Sequence, residues 1–197
     1  GEILPFLHSL LLNCPIYNLN PFLSPVVGVD ILGAVTDPAV AIRVGEVFVP
    51  KDPDTRQPYF SRTGGILLGG VLWAVKTRLK EEATLRHVLL IMRYRQRIEQ
   101  VLATSPEVHH LVAQHLRTAG ETVQSVISET AGKAGMLEPI AAALEKAKHV
   151  IDLEDWVQNQ ESILVLGTSH RRRSVLAAYN RVIITLLSDI ILEGEEA

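Results

Sequence analysis

Ile16-Tyr17-Asn18-Leu19-Asn20-Pro21-Phe22 decides the fold. Apolar residues at 16, 17 and 19 read as a short buried strand. Asn20-Pro21 ends it, because proline removes a ladder donor and biases the residue before it away from helix. Its counterpart near the other end is Ser162-Ile163-Leu164-Val165-Leu166-Gly167, an apolar run short enough to be a strand buried on both faces. Residues 23–161 between them carry almost no strand signal. Two short strands, about 15–19 and 162–167, therefore frame a large helical insertion, and the fold class is mainly α with α/β flanks.

At 197 residues the chain is long enough for one or two cores by the usual prior of roughly 100 to 200 residues per domain. A hydrophobic share of 47% against 21% charged excludes intrinsic disorder. The net charge of -3 removes overall basicity as a means of recruiting nucleic acid, so any such contact needs a local patch. Cys14 is the single cysteine and closes no internal disulfide, which fits a reducing compartment. No run reaches the roughly 18 uninterrupted apolar residues of a membrane span. The nearest, residues 64–75, is bounded by Arg62 and Lys76 and reads as a buried helix. The start at Gly1-Glu2 lacks the features of a signal peptide and reads as a cut inside a domain.

Ile3, Leu4, Phe6, Leu7, Leu10 and Leu11 fall at helical spacing, giving a helix before the first strand. Residues 22–36, with Pro25, Gly28 and Gly33, read mostly as loop. Asp37 as N-cap with Pro38 at the first position opens an amphipathic helix with Val40, Val44, Val47 and Phe48 inward, ended by Pro50. Residues 51–58 form a polar, proline-bracketed loop. Residues 59–79 form a helix despite Gly64, Gly65, Gly69 and Gly70. Each glycine costs roughly 1 kcal/mol there, so a closely approaching neighbour is expected on the face that Gly65 and Gly69 share. Further helices are expected over 84–102 (two short ones or one kinked), from Ser105-Pro106 to about 118, from Gly120 to 132 or 135, over 137–148, and over 171–192. A single turn at 152–157 seats Trp156 before the second strand.

The phosphate-binding pattern G-x-x-x-x-G-K-[ST] is absent: Gly65 and Gly70 have the spacing, but Val71-Leu72 replaces the lysine and hydroxyl. No apolar strand closes on an Asp-Glu pair, and one cysteine makes no cysteine-based metal site. His109, His110 and His115 lack the spacing of three or four that would put ligands on one helical face. No metal or cofactor is assigned to this chain. Three basic clusters stand out: Lys76, Arg78 and Lys80; Arg93, Arg95 and Arg97 around Tyr94; and Arg171, Arg172 and Arg173. Solvated faces are one reading of them. Phosphate contact is the other, with Tyr94 a stacking surface for single-stranded bases. The third cluster follows the second strand through Gly167-Thr168-Ser169-His170. Thr168 and Ser169 would face a nucleotide if the strand end binds one; a helix-capping Ser169 is the alternative.

In their order and spacing these residues resemble the coupling-protein ATPases of type IV secretion and conjugation, the TraD and TraG kind. The segments are Ile16 to Phe22, Gly28-Val-Asp-Ile31, Thr36-Asp-Pro-Ala39, Tyr59-Phe60 ahead of Leu67-Leu68-x-Gly70-Val71, Ser125-Val-Ile-Ser128, residues 137–143, Leu153-x-x-Trp156 and Ile163 to Leu166. The resemblance implies a RecA-like motor whose phosphate loop lies upstream and whose Asp-Glu strand lies downstream, so that Gly1-Glu2 would follow the family's D-P-K-G-E segment. It further implies flanking α/β motor pieces at 1–30 and 159–197 around an all-α domain at 31–158. Such a parent is a bacterial, inner-membrane-anchored hexamer that uses ATP and Mg. It passes DNA with its relaxase, or effector proteins, to the secretion channel, and its cytoplasmic all-α domain recognises cargo. Gly64 departs from the alanine common there, and no catalytic motif is present to carry over, so this chain is not expected to be catalytic alone. The expected function is DNA or cargo engagement, through Lys76, Arg78, Lys80, Arg93, Tyr94, Arg95 and Arg97. The alternative is a protein-interaction module that does not touch nucleic acid, and a third reading keeps the helices as packing between subunits.

Overall fold

The computed structural model describes residues 14–50, 59–116 and 120–196, with Pro5 and Leu7. Apart from those two residues, the expected N-terminal helix lies outside the described residues, as does the loop at 51–58. The chain divides into two compact units, one from its flanks, up to Asp30 and from Ala142 on, the other from Ile31 to Ala141.

In the flanking unit, β1 (Ile16–Asn18) pairs in parallel with β4 (Ile163–Val165), Tyr17 opposite Leu164. The ladder continues at both ends, Ile163 N donating to Pro15 O (2.9 Å) and Leu19 N to Val165 O (2.8 Å). Asn20 then turns the chain: its side-chain Oδ1 accepts from Phe22 N at 3.1 Å and its carbonyl from Leu23 N at 3.0 Å, an Asx-type turn that competes with strand pairing. The other end of this pairing needs a glycine. A Cβ on Gly167 would stand 2.9 Å from the Asn20 Cα, so only a residue without one lets β4 leave beside the turn. The expected burial of β4 on both faces is corrected to half-burial of all three residues: the sheet has only two strands among the described residues, and a sheet that narrow leaves both faces partly uncovered.

A second parallel pair, β2 (Val27–Val29) with β3 (His149–Ile151), was not expected from the sequence. The stretch read as loop at 22–36 contains β2, and the helix expected over 137–148 is shorter: α7 (Glu138–Leu144) stops before a turn that enters β3. Alternation of apolar and polar residues cannot announce three-residue strands, since a period of two needs more residues to show. The single turn at 152–157 is a longer helix, α8 (Leu153–Asn159), capped by Asp152 Oδ1 on Asp155 N at 3.0 Å and closed by Gln160 at φ 51. The 3-10 turn His170–Arg172 leads into α9 (Arg173–Glu196), which buries Leu176, Tyr179, Val182, Ile183 and Leu186 on one stripe. α9 is the one described helix long and apolar enough to cross a membrane by length and composition. Residues 142–158, expected in the helical domain, group instead with the flanks, because β3 pairs with β2 and α8 packs on α9.

The Ile31–Ala141 unit is built on α2 (Tyr59–Leu79), which contacts α1 (Pro38–Phe48), α3 (Leu85–Met92), α4 (Arg95–Leu102), α5 (Pro106–Leu116) and α6 (Gly120–Gly135). Asp37 Oδ1 caps α1 by accepting from Ala39 N (2.6 Å) and Val40 N (3.0 Å). Val40, Val44 and Phe48 are buried while Val47 is half-exposed. Full burial of each such apolar side chain contributes about 1.5–3 kcal/mol. The glycines of α2 have the expected neighbour: a Cβ on Gly65 would lie 2.8 Å from Glu46 Cα, and one on Gly69 2.5 Å from Ile42 Cα. The backbones of α1 and α2 therefore touch, with Gly45 facing Gly65 and Gly69 from the other side. Residues 84–102 form two helices; Thr84 and His87 close a capping box at the start of α3.

Candidate nucleic-acid interface

The basic residues singled out by the sequence separate into anchoring and available side chains. Lys76 is an anchor. From the last turn of α2 its ammonium donates to Gly33 O at 2.8 Å and also to Val35 O, satisfying loop carbonyls ahead of α1. Arg78 and Lys80 are exposed and, among the described residues, make no ion pair. Lys80 starts the 3-10 turn Lys80–Glu82 at φ 51.

Arg93 to Arg97 form the corner between α3 and α4. Arg93 Nη2 pairs with Glu138 Oε1 at 2.7 Å, tying the corner to α7, and Arg95 Nε pairs with Glu99 Oε1 at 2.7 Å within α4. Both cations are thereby neutralised in place. Tyr94, at the N-terminal boundary of α4, is 56% exposed. The Arg97 guanidinium sits over its ring at 4.7 Å, a cation–π contact of about 0.5–1 kcal/mol at an exposed site. Arg97 has no carboxylate partner among the described residues. The corner thus offers one aromatic plate backed by one available cation, where the sequence offered three. Lys80 and Tyr94 stand in the chain on either side of α3, whose eight residues span about 12 Å.

In the flanking unit, Thr168 and Ser169 leave β4 at its carboxyl end and line a cleft of about 380 Å³ with His170, Arg173 and Asn180. Asn180 Nδ2 donates to Gly167 O at 2.9 Å, and its Oδ1 is buried without a hydrogen-bond partner among the described residues. The capping alternative for Ser169 is not formed: its side chain makes no cap bond, and its carbonyl accepts from Arg172 N at 3.3 Å. Arg171, Arg172 and Arg173 are exposed, and the Arg172 guanidinium lies 3.9 Å from the Phe22 ring centroid. Among the described residues no group of three His, Cys, Asp or Glu side chains could hold a metal ion. His109 and His110 are exposed; burial and the Arg62 charge hold His115 below the ordinary imidazole range. A second cleft, walled by Tyr17, His149 and Trp156, escaped the sequence reading. Its residues come from two segments, Pro15 with Tyr17 and 149–162, which the β1–β4 pairing brings together.

The helical unit, residues 31–141, lies in the chain between the strands of two parallel pairs and exposes Tyr94, Arg97, Arg78 and Lys80. The chain belongs to the family of type IV secretion-system coupling protein DNA-binding domains, whose model matches residues 18–196. No curated protein and no solved structure matches it.

Proposed function

We propose that this chain is the DNA- or cargo-engaging part of a conjugative coupling ATPase, and that the α3–α4 corner and the end of α2 make the contact. The observation that carries the reading is the exposed Tyr94 ring backed by Arg97 in a chain of the DNA-binding family. In this reading the flanks are pieces of a RecA-like motor. The parallel β1–β4 pair supports it, since parallel strands require a crossover and here the crossover holds the whole helical unit. ATP and Mg act elsewhere in the hexameric, membrane-anchored parent, which hands relaxase-bound DNA or effectors to the secretion channel. Thr168 and Ser169, at a strand's carboxyl end, face the nucleotide there. ATP hydrolysis by this chain alone would overturn its non-catalytic role.

The test is anisotropy with a labelled single-stranded oligonucleotide across salt. Stacking on an aromatic contributes about 1–3 kcal/mol per base, so Tyr94→Ala should weaken binding at least fivefold. Replacing Arg78, Lys80 and Arg97 together by alanine should lower the salt slope by about 2, at roughly 0.7 per phosphate contact. Arg93→Ala and Arg95→Ala should change it less, because both are already paired. Binding that shows no salt slope, or that ignores Tyr94→Ala, removes this interface. It would favour the second reading, a protein-interaction module, which the net charge of -3 and the two neutralised arginines support.

A further inference from the structure

The cleft walled by Tyr17 and His149 has a volume of about 670 Å³, inside the roughly 300–1,000 Å³ of ligand sites. Tyr17 of β1 and His149 of β3 stack with centroids 4.7 Å apart and planes at 27°. Trp156 is held in place by its Nε1–H, which donates to Ser162 O and Oγ, each at 3.1 Å. Three carboxylates, Asp152, Asp155 and Glu161, line the same cleft, and among the described residues no lysine or arginine does. Asp152 Oδ1 holds Asp155 N and Asp155 Oδ1 holds Asn159 Nδ2 at 2.8 Å, which leaves each a second oxygen. Glu161 is exposed and, among the described residues, has no partner.

This chemistry disfavours phosphate, which would meet three carboxylates and, among the described residues, no lysine or arginine. A purely apolar ligand would strip water from carboxylates without pairing them. A guanidinium answers both walls at once, because its planar fork pairs with a carboxylate while its face stacks on an aromatic ring. An ammonium can also lie over a ring, but it lacks the planar fork that pairs with a carboxylate at two points. We propose that this cleft is a docking site for an arginine-bearing peptide segment of a partner protein. The inference does not rest on the DNA-binding reading, because the cleft and the Tyr94 corner share no residue.

The test is titration calorimetry on the full 197-residue chain with an acetylated, amidated tri-arginine peptide. Tri-lysine, tri-glutamate and spermidine serve as comparators, and the Trp156 indole resonance, assigned by its loss in Trp156→Phe, is followed by NMR. Saturable tri-arginine binding is expected, at least threefold tighter than tri-lysine or spermidine, with the Trp156 signal shifted and tri-glutamate silent. Asp155→Asn with Glu161→Gln should weaken it at least tenfold. Asp152→Asn removes a charge while retaining a good N-cap, and should weaken it at least threefold. If the double variant loses its circular dichroism, Glu161→Gln alone, on an exposed residue outside any helix, should still weaken binding at least threefold. Absence of saturation, equal affinity for spermidine or tri-lysine, or affinity unchanged in the neutralised variants would overturn the proposal.

Discussion

Tyr179 lies at 0% exposure on the inward stripe of α9, and its hydroxyl meets no hydrogen-bond partner among the described residues. An unpaired buried hydroxyl costs about 1–3 kcal/mol of lost hydration, so Tyr179→Phe should hold or raise stability by about 1 kcal/mol in urea unfolding. A loss larger than about 1 kcal/mol would mean the hydroxyl is satisfied. Burial also pushes this phenol well above its ordinary range. The unfolded chain therefore releases the proton first as pH rises past about 10, stability falls there, and Tyr179→Phe should flatten that limb. His115 works in the opposite direction. Its pKa is lowered by burial, then by Arg62, so the unfolded state takes up the proton first as pH drops below about 6.5. Stability is complete above that value and declines as pH falls through the folded one; melting curves between about pH 7.5 and 5.5 should show a shallower decline in His115→Gln. At this scale the sequence was readable where chemistry is local: Asp37 before Pro38 announces a cap and makes one. The fates of Lys76 and Arg93 were not, since their partners, Gly33 and Glu138, lie 43 and 45 residues away.

Between elements, the contact of α1 with α2 is the one that tolerates least change. Gly69→Ala would place a methyl 2.5 Å from Ile42 Cα and 2.6 Å from Ala41 O, atoms of the backbone that cannot rotate aside. Overpacking of this kind costs about 1–3 kcal/mol or more and outweighs the gain of about 1 kcal/mol in helix propensity. Gly132, exposed on α6, has nothing within 4 Å of its missing methyl, so Gly132→Ala should realise that gain undiminished. The pair should move Tm in opposite directions, at about 2–4 °C per kcal/mol for a chain of this size. Glycines that are alike in sequence are thus separated by what stands opposite them. Long helices were legible because their apolar period repeats over several turns, as in α2 and α9. β2 and β3 were not, because three residues carry no period and their pairing joins residues 27–29 to 149–151.

On the scale of the whole chain, the helical unit should stand alone. Its core, including Phe48, Leu67, Leu72, Met92, Ile98 and Val112, comes entirely from residues 31–141, and its contacts radiate from one central helix. By contrast, the flanking unit's parallel sheets have two strands each among the described residues, with open ladder edges there. The excised piece should run from Ile31 to Leu144 and not stop at Ala141. Ending inside α7 would cut its hydrogen-bond ladder, and Ile140 and the Glu138 partner of Arg93 both sit on that helix. Expressed this way, it should melt in one cooperative helical transition seen equally by far- and near-ultraviolet circular dichroism. Dye binding with loss of the near-ultraviolet signal would show instead that packing depends on the flanks. The same piece contains the Tyr94 corner but neither Thr168 nor the Tyr17 cleft. It should therefore keep any single-strand affinity of the whole chain and lose the response to tri-arginine, which assigns the two activities to separate units.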